Sequence, residues 1–143
     1  MTSNVLRANT LVHALQAGIE GDHDTLEGVL TDDVRAWTPT VSAHSLTELL
    51  AQLDHRNEAF SDPELVVTPL DVGGDLACAE WSVALTHTGT LRLNDETKIA
   101  PTGIRVTVHG ITVAEFHGEH ICAFRQYWDA SSVLEQLGLT PAR

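Results

Sequence analysis

Hydrophobic and polar residues are spaced differently in the two halves of the chain. Over residues 3–20 the apolar side chains recur every three or four positions, which is typical of one face of an amphipathic helix. A shorter helix with acidic residues in its first turn is predicted over 24–30, and a brief strand over 34–37. Ser45-Leu-Thr-Glu48 has the spacing of a capping box, so a third helix is predicted from there to about Phe60.

From Glu64 onward the apolar residues alternate with polar ones, and a period of two predicts strands. Helices that precede a meander of long strands predict an α+β fold. We expect a curved antiparallel or mixed sheet wrapped around the N-terminal helices, a cone with a pocket at its open mouth. A polar loop is expected over 94–101, and a closing helix follows the last strand. The predicted strands cover 65–72, 76–88, 104–116 (interrupted at His109-Gly110) and 121–128.

The last of these strands carries the most chemistry. Because successive side chains of a strand point to opposite faces, strict alternation divides it into two sets. One set holds a guanidinium, a phenol and a carboxylate in a row, and two interpretations stay open. The row either lines a pocket whose acid–base group is Asp129, or forms an Arg125–Asp129 ion pair beside a Tyr127 hydroxyl at a rim. The sets are Ile121, Ala123, Arg125, Tyr127 and Asp129 on one face, and Cys122, Phe124, Gln126 and Trp128 on the other.

A second informative strand places Trp81, Val83, Leu85 and His87 on one face. A single histidine on an apolar face is commonly a hydrogen-bonded core residue. The alternative is that His87 lies across a small cavity from Asp129 and shares donor and base roles with it near neutral pH. The apolar walls of that cavity are predicted to come from Trp37, Trp81, Val83, Leu85 and Phe60.

Composition narrows the possible partners. The 143 residues suit one domain, 1–143, and include 20 acidic but only 8 basic residues, for a formal net charge of −12. Such a charge repels nucleic acids and anionic membranes. The start of the chain lacks the pattern of a signal peptide, so a soluble, cytoplasmic protein is expected. Cys78 and Cys122 have no pairing motif and are predicted to be buried free thiols on the face away from the pocket.

Other chemistries find little support in the sequence. Eight histidines are present, but none has the helical spacing of a zinc protease, and His117 and His120 flank a tight turn. There is no Gly-x-Ser-x-Gly motif and no phosphate-binding glycine loop, and Lys98 is the only lysine. We therefore predict no metal and no nucleotide or Schiff-base cofactor.

Several short motifs together resemble one family. Arg125-Gln-Tyr-Trp-Asp129 is followed by Gln136-Leu-Gly138, and Trp81 precedes His87-Thr-Gly89 and Pro101-Thr-Gly103. This set is similar to the SnoaL-like polyketide cyclases of the ketosteroid isomerase and nuclear transport factor 2-like superfamily. The resemblance is most specific from Trp81 to Leu139.

The resemblance implies a cofactor-independent enzyme of cyclase, isomerase or lyase type that acts on a hydrophobic carbonyl compound. The family's cyclases close a ring by intramolecular aldol condensation, and Asp129 would be the acid–base residue. His87, Tyr127 and the Trp81 N–H would be donors to an enolate, and Arg125 a further pocket residue. A non-catalytic binder, a dimeric interaction module and an epoxide-hydrolase-like or hydroxylase-like member are the alternatives. The apolar stripe Cys122, Phe124 and Trp128 suits a homodimer.

Overall fold

The structure, a computed structural model, describes residues 2–92 and 96–139. Four helices and eight strands follow one another in nearly the predicted order. The helices are α1 (Thr2–Glu20), α2 (His23–Val29), α3 (Leu46–Ala59) and α4 (Ala130–Gln136). The strands are β1 (Leu30–Trp37), β2 (Ser42–Ala43), β3 (Phe60–Leu70), β4 (Leu76–His87), β5 (Leu91–Arg92), β6 (Lys98–Ile99), β7 (Arg105–His117) and β8 (His120–Trp128).

The predicted α3 start is confirmed by its hydrogen bonds. The Ser45 hydroxyl accepts a bond from the backbone N–H of Glu48 at 3.2 Å. The Glu48 carboxylate turns back and accepts from the backbone N–H of His44 at 2.9 Å, one residue earlier than in a standard capping box. The Glu48 N–H, one of the orphan groups of the first turn, is thereby satisfied, and the N–H of the residue before the N-cap also gains an acceptor.

Six strands form one mixed sheet in the order β2-β1-β8-β7-β4-β3. β1 and β8 run parallel, and the remaining neighbours are antiparallel. α1 packs against β3 and β4, and α3 against β1, so the helices lie on one side of the sheet. The predicted α+β cone is therefore confirmed. The core between the layers includes Leu11, Leu26, Val34, Leu49, Phe116 and Ile121.

Two predicted boundaries differ from the structure, at the start of β3 and in the polar loop. β3 begins at Phe60 without a loop, because a register shift between Ser61 and Glu64 accommodates Asp62, which has a φ of 52°. The expected polar loop contains β6, which pairs with β5 as a separate two-stranded hairpin. Part of that loop, residues 93–95, lies outside the described residues.

β7 runs without interruption through His109-Gly110, contrary to the expected break. Gly110 lies opposite Trp81 in the β4–β7 ladder. A Cβ at residue 110 would come within 2.5 Å of the Trp81 ring and 2.9 Å of the Tyr127 carbonyl oxygen. The glycine is thus required by the close approach of the indole rather than by a turn.

A β-bulge interrupts the alternation of β8. Glu115 pairs with Ala123, whereas the next residue, Phe116, pairs with Ile121, so Cys122 is an extra residue in β8. A single extra residue transfers every later side chain to the opposite face. The two faces of β8 therefore exchange their members after Ile121.

Candidate functional site

A cavity of about 930 Å³ lies between the inner face of the sheet and the helices. Its volume is within the range of about 300–1,000 Å³ that is usual for small-molecule sites. β4 contributes Trp81, Val83 and Leu85, and β8 contributes Ile121, Phe124, Gln126 and Trp128. α4 covers part of the cavity with Ala130, Val133 and Leu134. The lining is mainly aliphatic and aromatic.

All five predicted wall residues are in this lining: Trp37, Phe60, Trp81, Val83 and Leu85. The Trp81 Nε1–H is already used, because it donates to the Thr112 hydroxyl at 2.9 Å. Trp37 is 46% exposed, and its ring centroid lies 5.4 Å from that of Tyr127. The Trp81 indole therefore supplies apolar surface to the cavity rather than a free hydrogen-bond donor.

The prediction that Arg125, Tyr127 and Asp129 face the cavity was wrong. The bulge at Cys122 moves the three side chains to the outer face, while Phe124, Gln126 and Trp128 turn inward. Arg125 donates to the Glu115 carboxylate at 2.6 Å, so the predicted Arg125–Asp129 pair is not formed either. Tyr127 is 49% exposed.

The same exchange removes the predicted outer stripe. Phe124 and Trp128 line the cavity, so they do not join Cys122 as an exposed apolar surface. Cys78 and Cys122 are free thiols, as predicted. Cys78 is buried, which raises the pKa of its thiol, while Cys122 is only partly buried.

Asp129 serves as the N-cap of α4. Its carboxylate accepts from the Ser131 hydroxyl at 2.6 Å and from the backbone N–H groups of Ser131 and Ser132 at 3.0 and 3.3 Å. The hydroxyl bond, followed by the backbone bonds, lowers the pKa of this exposed carboxyl. A general base near neutral pH needs the opposite shift.

His87 is fully buried, but it is not part of the cavity lining. Its Nδ1 accepts from the Thr102 backbone N–H at 3.2 Å and lies 2.9 Å from the Thr102 hydroxyl. This assigns the ring proton to Nε2, which has no hydrogen-bond partner among the described residues. The ring contacts Phe60 at a centroid distance of 5.4 Å. His87, Tyr127 and Asp129 therefore do not converge.

Two of the motifs that carry the family resemblance, Thr88-Gly89 and Gln136, form structural hydrogen bonds rather than lining the cavity. The Thr88 and Gly89 N–H groups donate to the Ala59 carbonyl oxygen at 3.0 Å, and a Cβ at Gly89 would collide with the Glu58 carbonyl. The Gln136 side-chain amide donates to the Thr107 carbonyl at 2.9 Å and accepts from its N–H at 2.8 Å. These contacts fix the end of α3 and the position of α4.

Sequence reasoning missed the cations of the cavity. Arg56, Arg92 and Lys98 are in its lining, whereas no Asp or Glu of the described residues is. Arg56 continues the stripe formed by Leu49, Leu53 and Phe60, whose spacing of three or four residues marks the buried side of α3. A charged residue on that stripe was the available signal.

Gln126 is the polar side chain that β8 contributes to the lining. In the described ranges 2–92 and 96–139 its amide has no hydrogen-bond partner within the protein. The same ranges contain no cluster of three His, Cys, Asp or Glu side chains that could hold a metal ion. They also contain no helix whose length and apolar character would let it span a membrane.

A curved mixed sheet, folded over helices around an apolar cavity, defines the class of cone-shaped α+β proteins that enclose small molecules. Within this class the chain belongs to the SnoaL-like domain family, whose model matches residues 9–124. A comparison with curated proteins finds no match.

Solved structures share the fold over nearly the full chain. A Jannaschia sp. CCS1 protein assigned to the SnoaL-like polyketide cyclases has 17% identity and a TM-score of 0.85, over 99% of this chain and 97% of that one. IdmH of Streptomyces antibioticus, assigned as a polyketide cyclase, has 18% identity and a TM-score of 0.77, over 92% and 98%. An LEH-like epoxide hydrolase of M. tuberculosis has 18% identity and a TM-score of 0.69, over 94% and 90%. At these identities the likeness concerns the fold.

Proposed function

We propose that the protein binds a hydrophobic, polyketide-like carbonyl compound inside the cone. The observation that carries this proposal is the cavity of about 930 Å³ with aromatic walls from Trp81, Phe124 and Trp128. Burying an apolar compound against such walls is favourable by about 25 cal/mol for each Å² removed from water. The Gln126 amide offers a donor and an acceptor that can orient a carbonyl group.

Binding is the best-supported function because the described lining contains no carboxylate that could act as a base. The carboxylate implied by the resemblance, that of Asp129, is exposed and bonded to the first turn of α4. For Asp129 to act on a ligand in the cavity, its side chain would have to leave the cap and pass to the other face of the sheet. The described residues show no contact that would hold the Asp129 side chain in such a position.

A second candidate is cofactor-independent cyclase or isomerase chemistry on the same compound. It is supported by two similar structures that are assigned as polyketide cyclases. An enolate formed in the cavity would have the Gln126 N–H and the Arg56 guanidinium as stabilising donors. Acid–base catalysis by Asp129 is the form of this candidate that the resemblance implies. The homodimer also stays a prediction.

The test is calorimetric titration with a panel of tricyclic and tetracyclic aromatic ketones. We expect binding by the wild type and weaker binding by Leu85→Trp, which adds bulk to the cavity wall. Val66→Trp is the matched control, because Val66 is 63% exposed and outside the lining. Equal affinities in the two variants, or no binding by the wild type, would contradict the proposal.

Mass spectrometry of the incubated ligands separates the candidates. An unchanged compound indicates a binding protein, and an isomer of the same mass indicates isomerisation or aldol cyclisation. Loss of water indicates cyclisation with dehydration, and gain of water indicates epoxide hydrolysis.

A further inference from the structure

We propose that the ligand of this cavity carries a carboxylate and that the Arg56 guanidinium binds it. The inference rests on the proposed small-molecule function and adds the substrate class: an apolar, ring-containing carboxylic acid. Its starting point is a cation that the fold holds inside the cone without a protein counterion.

Arg56 is held by neutral oxygen atoms. Its Nη2 donates to the Gly18 carbonyl at 2.7 Å and to the Asn57 Oδ1 at 3.2 Å, and its Nε donates to the same Oδ1 at 3.3 Å. Within the described part of the chain, no carboxylate oxygen lies within 4.0 Å of the guanidinium, and Nη1 has no protein acceptor. Both N–H groups of Nη1 therefore remain available to a ligand.

The charges next to Arg56 in the sequence do not compensate it. Asp54 and Glu58 are two residues away on either side, and side chains at that spacing do not face each other on a helix. Asp54 bonds to His23 at 2.7 Å, and Glu58 lies 3.9 Å from His55. Burial lowers the pKa of Arg56 to about 10, and desolvation is its cause.

An unpaired cation in this position is costly. Taking a charged group out of water without an opposite charge costs several kcal/mol, and replacing it by an apolar residue often stabilises a protein. A ligand carboxylate would offset this cost by forming charge-assisted hydrogen bonds with the guanidinium. If the side chain at residue 56 only filled space in the core, an uncharged residue would serve as well as arginine.

The other charged side chains of the cavity lining are also positive. Three of the chain's eight Lys and Arg residues, Arg56, Arg92 and Lys98, are in it. None of the described Asp or Glu residues joins them, although the chain has 20. The formal net charge of −12 weakens the attraction of anions at long range, so a carboxylate is favoured only inside the cavity. The partly buried Arg56 is the anchor, while Arg92 and Lys98 are exposed.

The experiment compares anthraquinone carboxylate with its methyl ester, which has the same rings but no charge. At neutral pH we expect the wild type to bind the acid at least about tenfold more tightly, equivalent to about 1.4 kcal/mol. Arg56→Gln should reduce the affinity for the acid to that for the ester and leave the ester unchanged. Arg56→Lys, which keeps the charge but not the planar fork, should retain part of the preference.

The control is Arg35→Gln, which removes the same charge from an exposed residue outside the lining. It should leave the preference for the acid intact. Equal binding of acid and ester by the wild type would overturn the carboxylate proposal and leave the small-molecule function standing, without the need for any variant. Failure of both compounds and of the ketone panel would overturn the proposed function itself.

Discussion

The two faces of β8 differ in whether their side chains contact the protein surface or the cavity. The outer face has the reactive side chains, but each of them is engaged in a structural contact. Arg125 forms an ion pair with Glu115, the Tyr127 ring contacts Trp37, and Asp129 caps α4. The inner face has Phe124, Gln126 and Trp128, which line the cavity. A row of ionisable side chains on a strand is therefore not enough to define a site. The side chains must also face the cavity.

The strongest test of this comparison removes one residue from β8. Deleting Cys122 removes the bulge but keeps the inner and outer sets on their present faces, so we expect a folded protein with a modest loss of thermal stability. Deleting Arg125 shifts Gln126 to the outer face and Tyr127 and Asp129 to the inner face. We expect that variant to lose its cooperative thermal transition by circular dichroism. Similar melting curves for the two deletions would contradict the assigned faces.

A smaller effect is expected from truncating neighbouring aromatic residues. Trp128→Ala removes an aromatic wall of the cavity and should weaken ketone binding about tenfold, since roughly 50–60 Å² of lost apolar contact corresponds to about 1.4 kcal/mol. Tyr127→Ala, on the outer face, should leave the dissociation constant unchanged. Calorimetric titration of both variants measures the difference, and a larger loss for Tyr127→Ala would reverse the assignment.

Asp129→Asn tests the base assignment that the family resemblance implies. Asparagine is also a good N-cap, so we expect ligand affinity and any turnover to stay close to wild type. If Asp129 were the acid–base residue, turnover would fall by several orders of magnitude with the fold intact. Steady-state assays at saturating ligand distinguish these results, and a loss confined to kcat would favour catalysis.

The smallest expected effect is the pH dependence of the same cap. Because folding lowers the pKa of Asp129, its carboxylate stabilises the fold above about pH 4, where unfolded Asp is ionised. This contribution disappears as the pH falls through the folded-state pKa. The difference in Tm between wild type and Asp129→Ala should therefore narrow on acidification from about pH 6 to about pH 2. A difference that widens would contradict the capping role.

Most of the fold follows from the sequence because periodicity and caps are local. The α3 start, the β4 face with Trp81 and Leu85, and the element order all needed only short-range patterns. The site could not be predicted in this way, because the residues that β8 contributes to the cavity depend on one extra residue in the strand, Cys122. Placing Ile121 inward was correct, but Cys122 interrupts the alternation, and no local feature of that residue type signals a bulge. The role of His87 likewise depended on Thr102, fifteen residues away, which alternation along one strand does not reveal.

The absence of a side chain at Gly110 determines where one wall of the cavity lies. The Trp81 indole occupies the space that a side chain at residue 110 would fill, and the Thr112 hydroxyl fixes its edge. A methyl group there would come within 2.5 Å of the indole and 2.9 Å of the Tyr127 carbonyl oxygen, so either the ring or the neighbouring strand would have to move. Gly110→Ala would therefore alter this wall of the cavity without changing any residue that lines it.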